Sequence, residues 1–110
     1  MQFFKTKYHI ITFISEAPTV TNAGPSWSQR AVGDTFTFFC KTSAQGTVTW
    51  IRDGVTIDTV NDPNYKLTSS NDLVINKITP KDHGFYKCKV ENEFGFGILG
   101  WDLRLIIPCK

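Results

Sequence analysis

Apolar and polar side chains alternate along most of this chain with a period of two. In "TFTFFC" Phe36, Phe38 and Cys40 fall on one face while Thr37 and Phe39 fall on the other, and in "TVTW" Val48 and Trp50 share a face. That period marks half-buried strands. No stretch repeats at the spacing of an amphipathic helix. Turn-forming clusters interrupt the pattern at "AVGD", "SAQG", Arg52 to Gly54, Asn61 to Asn64 and Ser69 to Asp72, where Gly, Asp, Asn and Ser supply the backbone geometry of tight turns. Further strand-like runs read "YKLT", "DLVIN", "FYKCKVEN" and "LGWDLRLII". About seven short strands at this spacing predict an all-β sandwich or barrel.

Size and charge narrow the picture. A chain of 110 residues with 41% apolar side chains supports one domain, burying roughly 65% of its unfolded surface. The formal charge of +2 is dispersed from Lys5 to Lys110, so the basic stripe of a nucleic-acid binder is not signalled. Residues 1–15 read differently. Lys5 and Lys7 precede a short apolar stretch, Ile10 to Ile14, followed by Ser15 and Ala17. The stretch is too short to cross a bilayer, so no membrane insertion by this chain is expected. Residues 1–15 are read as a leader resembling a shortened secretion signal, or as the end of a preceding element. Either reading puts the folded unit at 16–108, with 109–110 starting a linker.

One motif is more specific. "DHGFYKC" places Asp82, Gly84, Tyr86 and Cys88 at fixed offsets, and Cys40 and Trp50 lie on two earlier strands with inward-facing positions. The order Cys, Trp, Tyr-x-Cys resembles the immunoglobulin signature, and "LVINKITPKDHGFYKCKVENEFG" resembles an intermediate-set immunoglobulin domain over Ala17 to Ile107. The resemblance implies a two-sheet antiparallel sandwich. It also implies a Cys40–Cys88 disulfide between the sheets, Trp50 covering it, and a Tyr86 phenol bonded to backbone at the preceding corner. Gly84 is expected to allow a tight turn, and Asp82 to pair with a basic residue, for which Lys66 is the candidate.

A narrower resemblance links "KDHGFYKCKVENEFG" to the second immunoglobulin domain of fibroblast growth factor receptors, continuing to Trp101, Leu103 and Leu105. It implies a protein ligand held through Ala31, Val32 and the linker after Ile107. Three aromatics, Phe39 pointing outward and Phe94 and Phe96 in the hairpin after Cys88, suggest a further contact patch. Those receptors carry basic residues on the outward face of the second strand, where Thr37 and Phe39 stand here. Arg30 and Lys41 remain as the nearby glycan-binding candidates, so heparan sulfate binding is expected to be weak at most.

Candidate chemistry is sparse. His9 and His83 have no serine or cysteine placed by spacing to pair with them, and three cysteines at wide separations make no zinc site. Asp34, Asp53, Asp58 and Asp62 fall in turns, where their side chains cap backbone. The glycines of "EFGFGILG" lack the lysine and helix of a phosphate loop and read as a hairpin. No catalytic residue, metal or cofactor is therefore expected. Cys109 follows Pro108 beyond the last strand, and is read as a thiol with a partner in a neighbouring module, or as an intermolecular link. The leading functional reading is an extracellular, cell-surface receptor module contacting a protein ligand or neighbouring immunoglobulin domains. The alternatives are an adhesion or matrix module, and an intracellular structural module of the muscle-filament type, where thiols stay reduced.

Overall fold

The computed structural model of the chain describes residues 16–108. The leader or linker reading of residues 1–15, His9 within it, and the reading of Cys109 all fall outside the described residues. Ten strands and one 3-10 turn make up the fold: β1 (Val20–Gly24), β2 (Trp27–Gln29), β3 (Phe36–Thr42), β4 (Thr47–Arg52), β5 (Val55–Thr56), β6 (Tyr65–Leu67), β7 (Leu73–Ile75), the turn Pro80–Asp82, β8 (Gly84–Asn92), β9 (Gly95–Ile98) and β10 (Leu103–Ile106). Four strands form one sheet in the order β1-β3-β7-β6, and six form the other, β2-β10-β8-β4-β5 with β9 also paired to β8. The fold is the two-sheet sandwich that the alternation and the resemblance imply.

The first two strands divide between the sheets. β1 pairs antiparallel with β3, placing Gly24 opposite Phe39; past a cis Gly24–Pro25 peptide bond the chain crosses over, and β2 runs parallel to β10. Both sheets are thereby joined by one short segment. The last run, read from sequence over Leu99 to Ile107, is strand only in its second half. Phe96 and its neighbours already form β9, and after a break at Leu99–Asp102 the chain rejoins β8 as β10. The hairpin therefore turns at Glu93 and Phe94, and Phe96 is a strand residue.

Inward positions of both sheets meet in one core. Phe36, Phe38 and Cys40 from β3 face Trp50 from β4 and Tyr86, Cys88 and Val90 from β8, all buried, with Leu73, Ile75, Leu103 and Leu105 among the residues packed with them. The Phe38 ring lies 4.6 Å from that of Tyr86 and 5.8 Å from that of Trp50. The buried Trp50 indole donates from Nε1 to the Asn71 carbonyl at 3.0 Å, so its one polar atom is answered. Cys40 and Cys88 form the inter-sheet disulfide, with Cα atoms 6.5 Å apart and 48 residues of separation. Closing a loop of that length contributes about 4 kcal/mol in the chain-entropy account.

Turn chemistry follows the sequence. Asp34 Oδ2 accepts the Ala31 amide, Asp58 accepts the Val60 and Asn61 amides, and Asp62 accepts the Asn64 amide. The Asn61 and Val60 amides hold the exposed Asp58 carboxyl below its ordinary range. Gly84 departs from its expected role. It is the first residue of β8 rather than part of a tight turn, and a β-carbon there would come within 2.5 Å of the Asp53 carboxylate. That carboxylate accepts the Phe85 amide at 3.0 Å, so the glycine clears space for a strand-end cap.

Candidate functional site

The corner before β8 gathers the polar residues of the signature. Asp82 is wholly buried, and each of its oxygens is occupied: Oδ2 accepts the Thr79 amide at 2.8 Å, Oδ1 accepts the Tyr65 hydroxyl, and its carbonyl accepts the Tyr86 hydroxyl at 2.5 Å. The cation is Arg52, with Nη1 3.6 Å from Asp82 Oδ1 and 3.3 Å from the Tyr65 hydroxyl. Lys66, the expected partner, is exposed on β6. Alternation explains the exchange: Tyr65 points inward, so Lys66 points out, and the end of β4 delivers Arg52 instead.

Electrostatics here serve structure. Burial pushes the Tyr86 phenol well above its ordinary value, with hydrogen bonding and attraction from Arg52 working the other way. Burial also raises Tyr65, helped by its hydrogen bond to Asp82. Burial opposes the Arg52 charge, yet the hydrogen bonds its guanidinium donates to Tyr86 and Tyr65 outweigh it and the net shift is upward. Both phenols thus stay protonated donors. The cluster locks the corner, and no nucleophile is oriented within it.

The residues singled out for ligand contact do not come together. Ala31 and Val32 lie in the exposed turn between β2 and β3, whose Gly33 and Asp34 bond to Ile78, near the start of β8. Phe94 lies past the other end of β8, in the turn before β9, and stands exposed. Phe39 points away from the core as expected, but it is half-buried because its ring covers Gly24, where a β-carbon would meet it at 3.0 Å. It is therefore packing rather than free contact surface. The glycan candidates are divided as well. Arg30 follows β2, with its guanidinium 4.8 Å from the Phe36 ring centroid and bonded to the Gln29 carbonyl, while Lys41 stands near the far end of β3 in the other sheet.

A different surface emerges on the outer face of the six-stranded sheet. Phe85, Lys87, Lys89 and Glu91 project outward from β8, opposite their inward neighbours. Pairing sets Arg104 beside Phe85 and Trp27 on the far side of Arg104, Ile98 beside Lys89, and Phe96 beside Glu91. Trp27 and Phe96 are 58% exposed and Phe85 and Ile98 46%. Trp101 stands exposed in the break between β9 and β10. By contrast, no exposed large apolar side chain among the described residues belongs to β1, β3, β6 or β7. The cations lie over rings: Arg104 is 5.6 Å from the Phe85 centroid and Lys89 Nζ 4.7 Å from that of Phe96.

Of these residues, only Phe96 is among the ligand-contact candidates read from sequence. Phe85 was legible, since Tyr86 and Cys88 face in and it must face out. Trp27 and Arg104 needed the parallel β2–β10 pairing, which no local pattern announces.

Comparison with known proteins adds relatives. The family model for the immunoglobulin domain matches residues 28–99. Human Protein sidekick-1 is 33% identical over 87 residues, covering 76% of this chain and 4% of that protein. The N-terminal Ig1-2 module of the Drosophila Receptor Protein Tyrosine Phosphatase DLAR shares 26% identity at a TM-score of 0.74, over 86% of this chain and 47% of that one. Titin domains z1z2, solved in complex with telethonin, share 28% identity at a TM-score of 0.69, over 87% of this chain and 50% of that one. This chain spans a small part of the curated relative and about half of each structural one.

Proposed function

Because this chain belongs to the immunoglobulin domain family, we propose that it acts as one recognition module of an adhesion-type cell-surface protein, set among immunoglobulin neighbours and working by protein contact. The observation that carries the proposal is the one-sided surface. Large apolar side chains from β2, β8 and β9 are left uncovered on the six-stranded sheet while the strands of the opposite sheet expose none among the described residues. Exposed apolar patches of this kind mark sites of association. The likeness to sidekick-1 and to the DLAR module favours adhesion and receptor ectodomains, and the Ig1-2 module of DLAR, itself a tandem pair, supports the immunoglobulin neighbours.

The growth-factor-receptor reading is the finer one and rests on "KDHGFYKCKVENEFG" and its continuation. Titin-like intracellular structure is the competing one, and the disulfide separates the two compartments. The full 110-residue chain, made by a secretory host and mapped by non-reducing peptide analysis, is expected to show Cys40 joined to Cys88. Free thiols at both positions would overturn the cell-surface reading and promote the intracellular one.

A further inference from the structure

Lys87, Lys89 and Arg104 stand between uncovered rings at the middle of the six-stranded sheet's outer face. We infer that this face docks an acidic protein segment, a strand or loop whose carboxylates alternate with apolar side chains. The inference rests on the reading above of the chain as a protein-contact module and adds the surface and the chemistry of its partner.

Geometry supplies the match. Lys87 and Lys89 are two positions apart on β8, so their stems rise about 6.7 Å apart, the spacing of alternate side chains in an extended segment. A carboxylate on every second residue of such a segment meets them in turn. The cations are also steadied from below. Lys89 Nζ lies over the Phe96 ring and the Arg104 guanidinium over the Phe85 ring, which favours the charged groups in a surface that a partner would dry.

The chain's own carboxylates compete weakly. Lys87 reaches Asp102 at 3.7 Å and Lys89 reaches Glu91 at 3.9 Å, and the two acidic side chains are 52% and 61% exposed against 37% and 34% for the lysines. Exposed pairs of this sort contribute little, since water screens them. A partner's carboxylates can replace them while its apolar groups cover Trp27, Phe96 and Ile98.

Two other occupants fit less well. A second copy stacked two-fold across β8 would bring the lysines of both chains together, and like charges across an interface oppose it. A sulfated glycan would meet the cations but leave Trp27, Phe96 and Ile98 wet.

The test titrates the full isotope-labelled chain with an N-acetylated hexapeptide alternating glutamate and leucine, followed by amide chemical shifts. Shifts are expected at Phe85, Lys87, Lys89, Ile98 and Arg104, weakened at least tenfold in Lys87→Glu/Lys89→Glu and unchanged in Arg30→Glu/Lys41→Glu. The Trp50 indole signal reports that each variant is folded. The inference is overturned by shifts centred on Ala31 and Val32, or by no binding at millimolar peptide. It is equally overturned by a heparin oligosaccharide taking the face while the peptide does not, or by concentration-dependent pairing through β8. Failure of the peptide with the Cys40–Cys88 bridge intact removes this surface alone, whereas free thiols remove the recognition-module reading itself.

Discussion

A carboxylate without solvent has to be answered on every side, and Asp82 is. The sequence makes that residue legible as a signature position but not its cation, Arg52, because motif offsets fix what lies along one strand and not which strand end arrives from across the sheet. Tyr86 shows the same corner from its partner's side. Its hydroxyl donates to the Asp82 carbonyl, so Tyr86→Phe leaves a buried acceptor unmet and is expected to cost about 1–3 kcal/mol in urea unfolding at neutral pH. A second effect appears in alkali. Burial holds the folded phenol above the ordinary value of 10.0, so above pH 10 the unfolded chain releases a proton that the folded chain keeps. The stability from this group is complete below pH 10 and lost as the pH climbs toward the folded value. The native protein should therefore lose up to about 1.4 kcal/mol more per pH unit than Tyr86→Phe across pH 10–11. Parallel curves for the two proteins would show that the phenol does not titrate as its burial requires.

Among the elements, those with several inward apolar residues were legible and those without were not. β3, β4 and β8 alternate over six to nine residues; β2 and β5 span three and two, too few to show a period. They exist because a longer neighbour offers them an edge. β3 also carries the aromatic that changed role. Phe39 lies over Gly24 on the neighbouring β1, and a larger residue than glycine there would push the ring away. Phe39→Ala is expected to cost about 1–2 kcal/mol, in proportion to its half-burial, measured by thermal unfolding, with hexapeptide binding to the β8 face unchanged. A variant with native stability but altered binding would return Phe39 to the contact surface.

In the molecule as a whole, charge is distributed rather than gathered. Arg30 is engaged with Phe36 and Gln29, Lys41 belongs to the opposite sheet, and the β8 lysines share their face with two carboxylates. Since each phosphate-like contact adds about one unit to the salt slope, the chain is expected to leave a heparin column near physiological salt, and Arg30→Ala with Lys41→Ala should change that little. Retention well above that salt, abolished by the double substitution, would restore a glycan site at those two residues. The parallel pairing of β2 with β10 also bears on how the domain carries mechanical load. Its chain enters beside the β8–β9 hairpin, where Asn92 bonds the Glu16 carbonyl, and leaves from the opposite pole at Ile107. Tension between those ends draws β2 one way and β10 the other along their common axis. The bonds from the Arg104 amide to Ser26 and from the Arg30 amide to Ile106 are then sheared together instead of peeled in succession, and behind them the 48-residue loop closed by the disulfide cannot pay out. A module joined this way yields late under a pull, and the residues between the two cysteines add nothing to its length when it does.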